Sequence, residues 1–142
     1  MNTLFTDKMA SVYDAMYQTF IDYNEEYDFY NTIIQKYGSQ STLEIGSGTG
    51  TLENPVDSIL ITGRSTSYLI SNEDVYYCFD SVHQNLNNEG VFVFDFIDAN
   101  RYIPYCENNK SIIHKANCEG ILHYRDSNWK LTTADNFLME WT

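Results

Sequence analysis

Glycines at positions 46, 48 and 50 follow directly on the run Leu43-Glu44-Ile45, and no other stretch constrains the fold as much. Glycine has no Cβ, so it takes positive φ and lets another molecule approach the backbone closely. A segment suited to a buried strand therefore leads into a tight loop whose amide N–H groups line a ligand site. The spacing is Gly-x-Gly-x-Gly, not the Gly-x-Gly-x-x-Gly of dinucleotide sites, and no Gly-Lys-Ser/Thr follows for a triphosphate. A glycine cluster alone also fits a plain turn. The strand before it and Glu44 within that strand favour the ligand loop.

The run Leu43-Glu44-Ile45-Gly46-Ser47-Gly48-Thr49-Gly50 resembles the first motif of class I methyltransferases that use S-adenosylmethionine. In that family the loop follows the first strand of a doubly wound sheet and cradles the methionine part of the cofactor. The resemblance implies cofactor contacts from Glu44, Gly46, Ser47, Gly48, Thr49 and Gly50.

Ahead of the loop, Met9, Val12, Tyr13, Met16, Tyr17 and Phe20 recur at helical spacing and predict a helix over 6–20. A second helix is predicted over 23–37, with Tyr27, Tyr30, Ile33, Ile34 and Tyr37 as its buried stripe and Gly38 as its stop. In the family, leading helices pack over the cofactor site, and a Val-Tyr-Asp similar to Val12-Tyr13-Asp14 lies near it. Tyr13 and Tyr17 are thus read equally as cofactor contacts and as packing residues of an amphipathic helix.

After Gly50 the sequence departs from the family. The expected helix has no room, because only six residues precede the next apolar run and Pro55 disfavours a helical Asn54. That run, 57–62, predicts a buried strand. With Ser65-Thr66-Ser67-Tyr68-Leu69 it resembles the family's fourth strand and following loop, which puts Thr62 among the cofactor-facing residues. The first helix of the sheet and the second and third strands with their helices then have no counterpart. The acid that holds the ribose hydroxyls is missing with them, as is the adenine contact.

The match resumes at Ser71, a helix cap with Asp74 three residues on. Val75, Cys78, Phe79, Val82 and Leu86 form a helical stripe that Asn88-Glu89-Gly90 is expected to end, and His83 lies off it in solvent. The run 91–97 is apolar on both faces, as in a covered parallel strand, and resembles the fifth strand. Asp95 near its end either lines a pocket or faces solvent. From 98 to 109 the chain reads as polar and irregular, with Pro104 inside. Beyond it, strands are predicted at 111–115, 120–125, 129–133 and 136–141, with turns at Asp126-Ser127-Asn128 and Ala134-Asp135-Asn136. His114, Cys118 and His123 match no metal-ligand spacing, so no metal is expected.

The fold expected is one α/β domain over 1–142: helices over 1–40, an abbreviated doubly wound, Rossmann-like methyltransferase sheet over 41–102, and an antiparallel meander over 103–142. Its 142 residues suffice for one core, and 43% hydrophobic with 20% charged residues fits a folded protein. A net charge of −12 argues against nucleic-acid and acidic-membrane partners. No run nears the roughly 20 apolar residues that span a bilayer. With no signal-like amino terminus and three cysteines outside any Cys-x-x-Cys pair, reduced thiols and a cytoplasmic location are expected.

Two functions stand against each other. One is methyl transfer from S-adenosylmethionine to a small-molecule acceptor, with Tyr13, Tyr17 and Asp95 as the candidates for chemistry. A direct displacement needs alignment more than a catalytic side chain. The other is an inactive, truncated methyltransferase-like binding or oligomerisation module, because half of the cofactor pocket has no counterpart. The ten residues from Ser47 to Val56 reach about 33–36 Å, too little to cover a sheet. The first strand is therefore expected at an exposed edge, and the chain as a homo-oligomer through edge strands or segment exchange.

Overall fold

The computed structural model describes residues 7–45, 54–109, 111–133 and 138–141. It is mixed α/β, with four α-helices, a parallel sheet of three strands and antiparallel strands after them. The elements in order are α1 (Asp7–Tyr17), α2 (Tyr23–Lys36), β1 (Thr42–Glu44), β2 (Val56–Ile61), a 3-10 turn (Ser65–Tyr68), α3 (Asn72–Asn85), β3 (Leu86–Phe94), α4 (Ala99–Asn108), β4 (Ser111–Cys118), β5 (Ile121–Thr133) and β6 (Leu138–Trp141). The chain divides into two compact units, Tyr27–Asp98 and the pair of segments Met1–Glu26 and Ala99–Thr142.

The unit Tyr27–Asp98 is built on the parallel sheet, in the order β1-β2-β3. Central β2 supplies the core, with Ser58, Ile59, Leu60 and Ile61 buried, and Val82 of α3 is buried as well. Apolar side chains on both faces suit a strand flanked on both sides. β1 is an edge strand whose Thr42 and Glu44 are exposed, as its short connection to β2 dictates. β3 is the other edge, so its predicted two-sided coverage is only partial: Val91, Phe92 and Val93 are half-buried and Phe94 is exposed.

The helices of this unit differ from expectation in detail. α2 ends at Lys36 and Gly38 takes φ +69°, the left-handed residue that stops a helix. Its stripe is narrower than predicted. Tyr30, Ile33 and Ile34 are half-buried, while Tyr27 and Tyr37 stay exposed. Ser71 and Asp74 form a full capping box on α3. That helix stops at Asn85, three residues before the predicted end. The next segment bulges between Leu86, opposite Val56, and Val91, opposite Ser58. Glu89 takes φ +65° within the bulge.

In the other unit α1 packs on β4 and β5, and α4 on β5. Met16, Cys106, Ala116 and Ser127 are buried. The predicted irregular stretch over 98–109 is instead α4, with Pro104 inside it. Proline removes one helical hydrogen bond. Tyr102, Ile103 and Cys106 nevertheless recur at helical spacing, and the Tyr102 ring meets Trp129 of β5 edge-on at 5.6 Å. The predicted turn at Asp126-Ser127-Asn128 is also corrected. β5 runs straight through it, paired with Ser111, Ile112 and Ile113 of β4. Ser127 is buried, and Ser111 Oγ donates to Asp126 Oδ1 at 2.6 Å. The real turn is Glu119-Gly120, both at positive φ (53° and 78°), the two-residue form that matches strand twist. The predicted turn Ala134-Asp135-Asn136 lies outside the described residues, and beyond it β6 pairs antiparallel with β5.

Candidate functional site

Ligands of open α/β sheets bind beyond the carboxyl ends of the strands. Three side chains stand there: Glu44 at the end of β1, Thr62 just past β2 and Asp95 just past β3. Thr62 Oγ1 donates to Glu44 Oε1 at 2.6 Å. Two of the sequence-predicted cofactor residues are thus brought into direct contact. The other Glu44 oxygen has no hydrogen bond among the described residues. Gly46, Ser47, Gly48, Thr49 and Gly50, the predicted loop, lie outside the described residues.

The segment after Thr62 is shaped by two consecutive left-handed residues, Gly63 at φ +65° and Arg64 at φ +62°. A non-glycine residue is uncommon in that conformation. Here the Arg64 N–H is drawn to Asp95 Oδ1 at 2.6 Å. Thr66 Oγ1 donates to the main-chain oxygen of Asp95, and the Ile97 N–H donates to Ser67 Oγ at 3.1 Å. Ser65 Oγ turns back to Thr62 O at 2.8 Å. Asp95 therefore clamps the loop after β2 to the end of β3. Sequence reasoning missed Arg64. The signal was Gly63 placed directly after a strand.

At the opposite end of the sheet Asp57 plays the structural part. Its carboxylate accepts from Asn87 Nδ2 (2.8 Å), the Gln40 N–H (2.9 Å), and the Ser41 N–H and Oγ (both 3.0 Å). The starts of β1 and β3 are thereby fastened to the start of β2. These bonds, led by that from Asn87, hold the Asp57 pKa down at about 2. Further in, the hydroxyls of Thr42 and Ser58 meet at 2.8 Å.

Tyr13 and Tyr17 belong to the other unit, where they stack on each other with centroids 4.1 Å apart. Phe20 continues the row at 5.0 Å from Tyr17, His114 packs on Phe20 at 4.4 Å, and the Arg125 guanidinium lies 5.2 Å from the centroid of the Tyr17 ring. Tyr13 keeps 44% of its surface exposed. Partial burial and then its hydrogen bond with Tyr17 still push its pKa well up. The structure stacks these two tyrosines on each other within this unit. Burial likewise raises the Cys78 and Cys106 thiols and keeps them protonated. No group of three His, Cys, Asp or Glu suited to a metal ion occurs among the described residues. No helix among them is long and apolar enough to cross a membrane.

Compared with protein-family models, with curated proteins and with solved structures, the chain matches none.

Proposed function

We propose that this chain is a shortened, Rossmann-like member of the class I methyltransferase type that holds S-adenosylmethionine at the carboxyl ends of its parallel strands. One observation carries the reading. Glu44 sits at the end of an edge strand that leads into the Gly46-Ser47-Gly48-Thr49-Gly50 run, and the strand that follows the run lies parallel beside it, its Thr62 bonded to Glu44. In open α/β sheets ligands bind beyond the carboxyl ends of the strands, and β1 ends there at Glu44. In this reading the loop amides and the Glu44 carboxylate hold the amino-acid part of the cofactor. The methyl acceptor is a small molecule.

A second reading is favoured by Asp95. The acid at the end of β3 is engaged by the Arg64 N–H, and among the described residues three parallel strands stand where a full sheet would carry the ribose and adenine contacts. A lost contact of this kind costs roughly 1–3 kcal/mol, and each 1.4 kcal/mol is about tenfold in affinity. The protein would then be a methyltransferase-like binding module without turnover.

Calorimetric titration with S-adenosylmethionine and S-adenosylhomocysteine, with Gly48→Val beside the wild type, separates the two. Saturable micromolar binding that the variant abolishes supports the cofactor site. No heat at millimolar ligand supports the module.

A further inference from the structure

The parallel sheet stops at the outer edge of β3, which among the described residues pairs with β2 alone. The Asp95 N–H donates to Ile61 O. Along a strand, alternate residues turn their N–H and C=O to the same neighbour. Val91 and Val93 therefore bond β2 as Asp95 does, while Phe92 and Phe94 turn their main-chain groups to the open side. Such an edge is a template for another strand, and proteins usually blunt it with charge or proline. The stretch Gly90-Val91-Phe92-Val93-Phe94 has neither. Its flanking face is aromatic. The Phe92 and Phe94 rings stack at 5.0 Å, Phe79 stands edge-on to both at 5.5 Å, and Phe96 is 66% exposed.

We propose that a second copy of this chain occupies the edge, its β3 antiparallel to the first about a twofold axis through Val93, so that the two sheets run on as one. The register follows from three constraints. Main-chain groups that face outward must meet one another, so the axis passes through a residue and not between two. An axis through Phe92 would bring Asp95 onto the Asn87–Gly90 bulge of the other copy, whose Glu89 carries a like charge. An axis further along would pair Phe92 with the Asn87–Gly90 bulge or with Phe96 beyond the end of β3. With Val93 on the axis, Phe92 faces Phe94 of the other copy twice over, each pair exchanging both main-chain bonds. The aromatic row becomes continuous across the seam.

A second copy fits because the edge is self-complementary, as a twofold interface requires. The proposal does not rest on the methyltransferase reading. Charge sets its signature. Each chain carries −12, so two copies repel and salt screens that repulsion. A basic segment from another protein on the same edge would show the reverse dependence.

Sedimentation equilibrium on the full chain is the test. A dimer is expected whose dissociation constant falls about threefold or more when NaCl rises from about 0.05 M to about 0.5 M. Phe94→Lys should raise that constant by about tenfold or more, with the far-UV circular dichroism unchanged. Opposed Val93 residues form a non-hydrogen-bonded pair with Cα atoms about 4.5 Å apart, within disulfide range. Val93→Cys should therefore give an oxidised dimer above the level of the wild type, and Val91→Cys should not. A monomer at every concentration in both salts overturns the proposal. So does a dimer that weakens with salt, or one unmoved by Phe94→Lys that gives no Val93→Cys cross-link.

Discussion

Thr62 Oγ1 donates to Glu44 Oε1 at 2.6 Å, and so joins the carboxyl ends of two neighbouring parallel strands. The bond orients a carboxylate on an exposed residue. Thr62→Val removes the donor and keeps the shape. An exposed bond of this type contributes about 0.5–1.5 kcal/mol, so the melting temperature should change little. If the proposed cofactor site holds, calorimetry should show S-adenosylmethionine binding weakened by about fivefold, because the carboxylate is no longer held in place. Glu44→Gln should cost more than Thr62→Val, since it removes the charge itself. Equal binding by all three proteins would detach this pair from the cofactor.

Acid should loosen the parallel sheet from its amino end. The hydrogen bonds from Asn87, Gln40 and Ser41 lower the Asp57 pKa from its usual 3.8 to about 2. A carboxyl lowered by folding contributes stability above its unfolded pKa, and that contribution disappears as pH falls from about 4 toward 2. Asp57→Asn should melt several degrees below wild type at pH 7. The gap should narrow as the pH falls toward about 2, where the wild-type carboxyl is half protonated, and close below it. Thermal unfolding followed by circular dichroism across that range is the measurement.

The parts of the fold that were legible in the sequence are those where one local signal had no competitor. Ile59, Leu60 and Ile61 form an unbroken β-branched and apolar run, Ser71 with Asp74 is a complete cap, and Gly38 is a clean stop. Misreadings fell where tertiary contacts outweighed a local rule. Pro104 argued for a loop, but the packing of Tyr102 and Cys106 keeps the segment helical. Asp126-Ser127-Asn128 has turn composition, but pairing along β4 and the bond from Ser111 hold it extended. At the candidate site, Glu44 and Thr62 were found through a motif. The Arg64–Asp95 clamp was not, because it joins residues 31 positions apart through a main-chain N–H, which no side-chain pattern records.

Gly90 should tolerate no side chain. A Cβ there would stand 2.8 Å from Asn87 O, 3.0 Å from a Leu86 methyl carbon and 3.1 Å from Asp57 O. Two of those three atoms are backbone and cannot swing aside. Gly90→Ala should destabilise the protein by about 1–3 kcal/mol, the usual range for overpacking. Gly38→Ala meets no atom within 4 Å, yet it forces alanine to φ +69°. Its cost is conformational, about 1–2 kcal/mol. Urea unfolding should show both losses, and a second mutation that shortens Leu86 should relieve part of the first and none of the second.

Alkali should act on the other unit. Burial and neighbouring groups raise the pKa of both Tyr13 and Tyr23 above the usual 10. For Tyr13 burial leads, the bond with Tyr17 adds to it, and the Arg125 guanidinium opposes both. The fold therefore favours the neutral phenols. Their contribution to stability is complete below pH 10 and is lost as the pH rises beyond it. Absorbance near 295 nm, where phenolate absorbs, should show a group of tyrosines ionising late and together with the loss of helical signal. Tyr17→Phe removes the hydrogen bond and should move the Tyr13 step back toward 10. Arg125→Gln removes the opposing charge and should move it further up. If both variants titrate like the wild type, the stack of Tyr13 on Tyr17 does not control that proton.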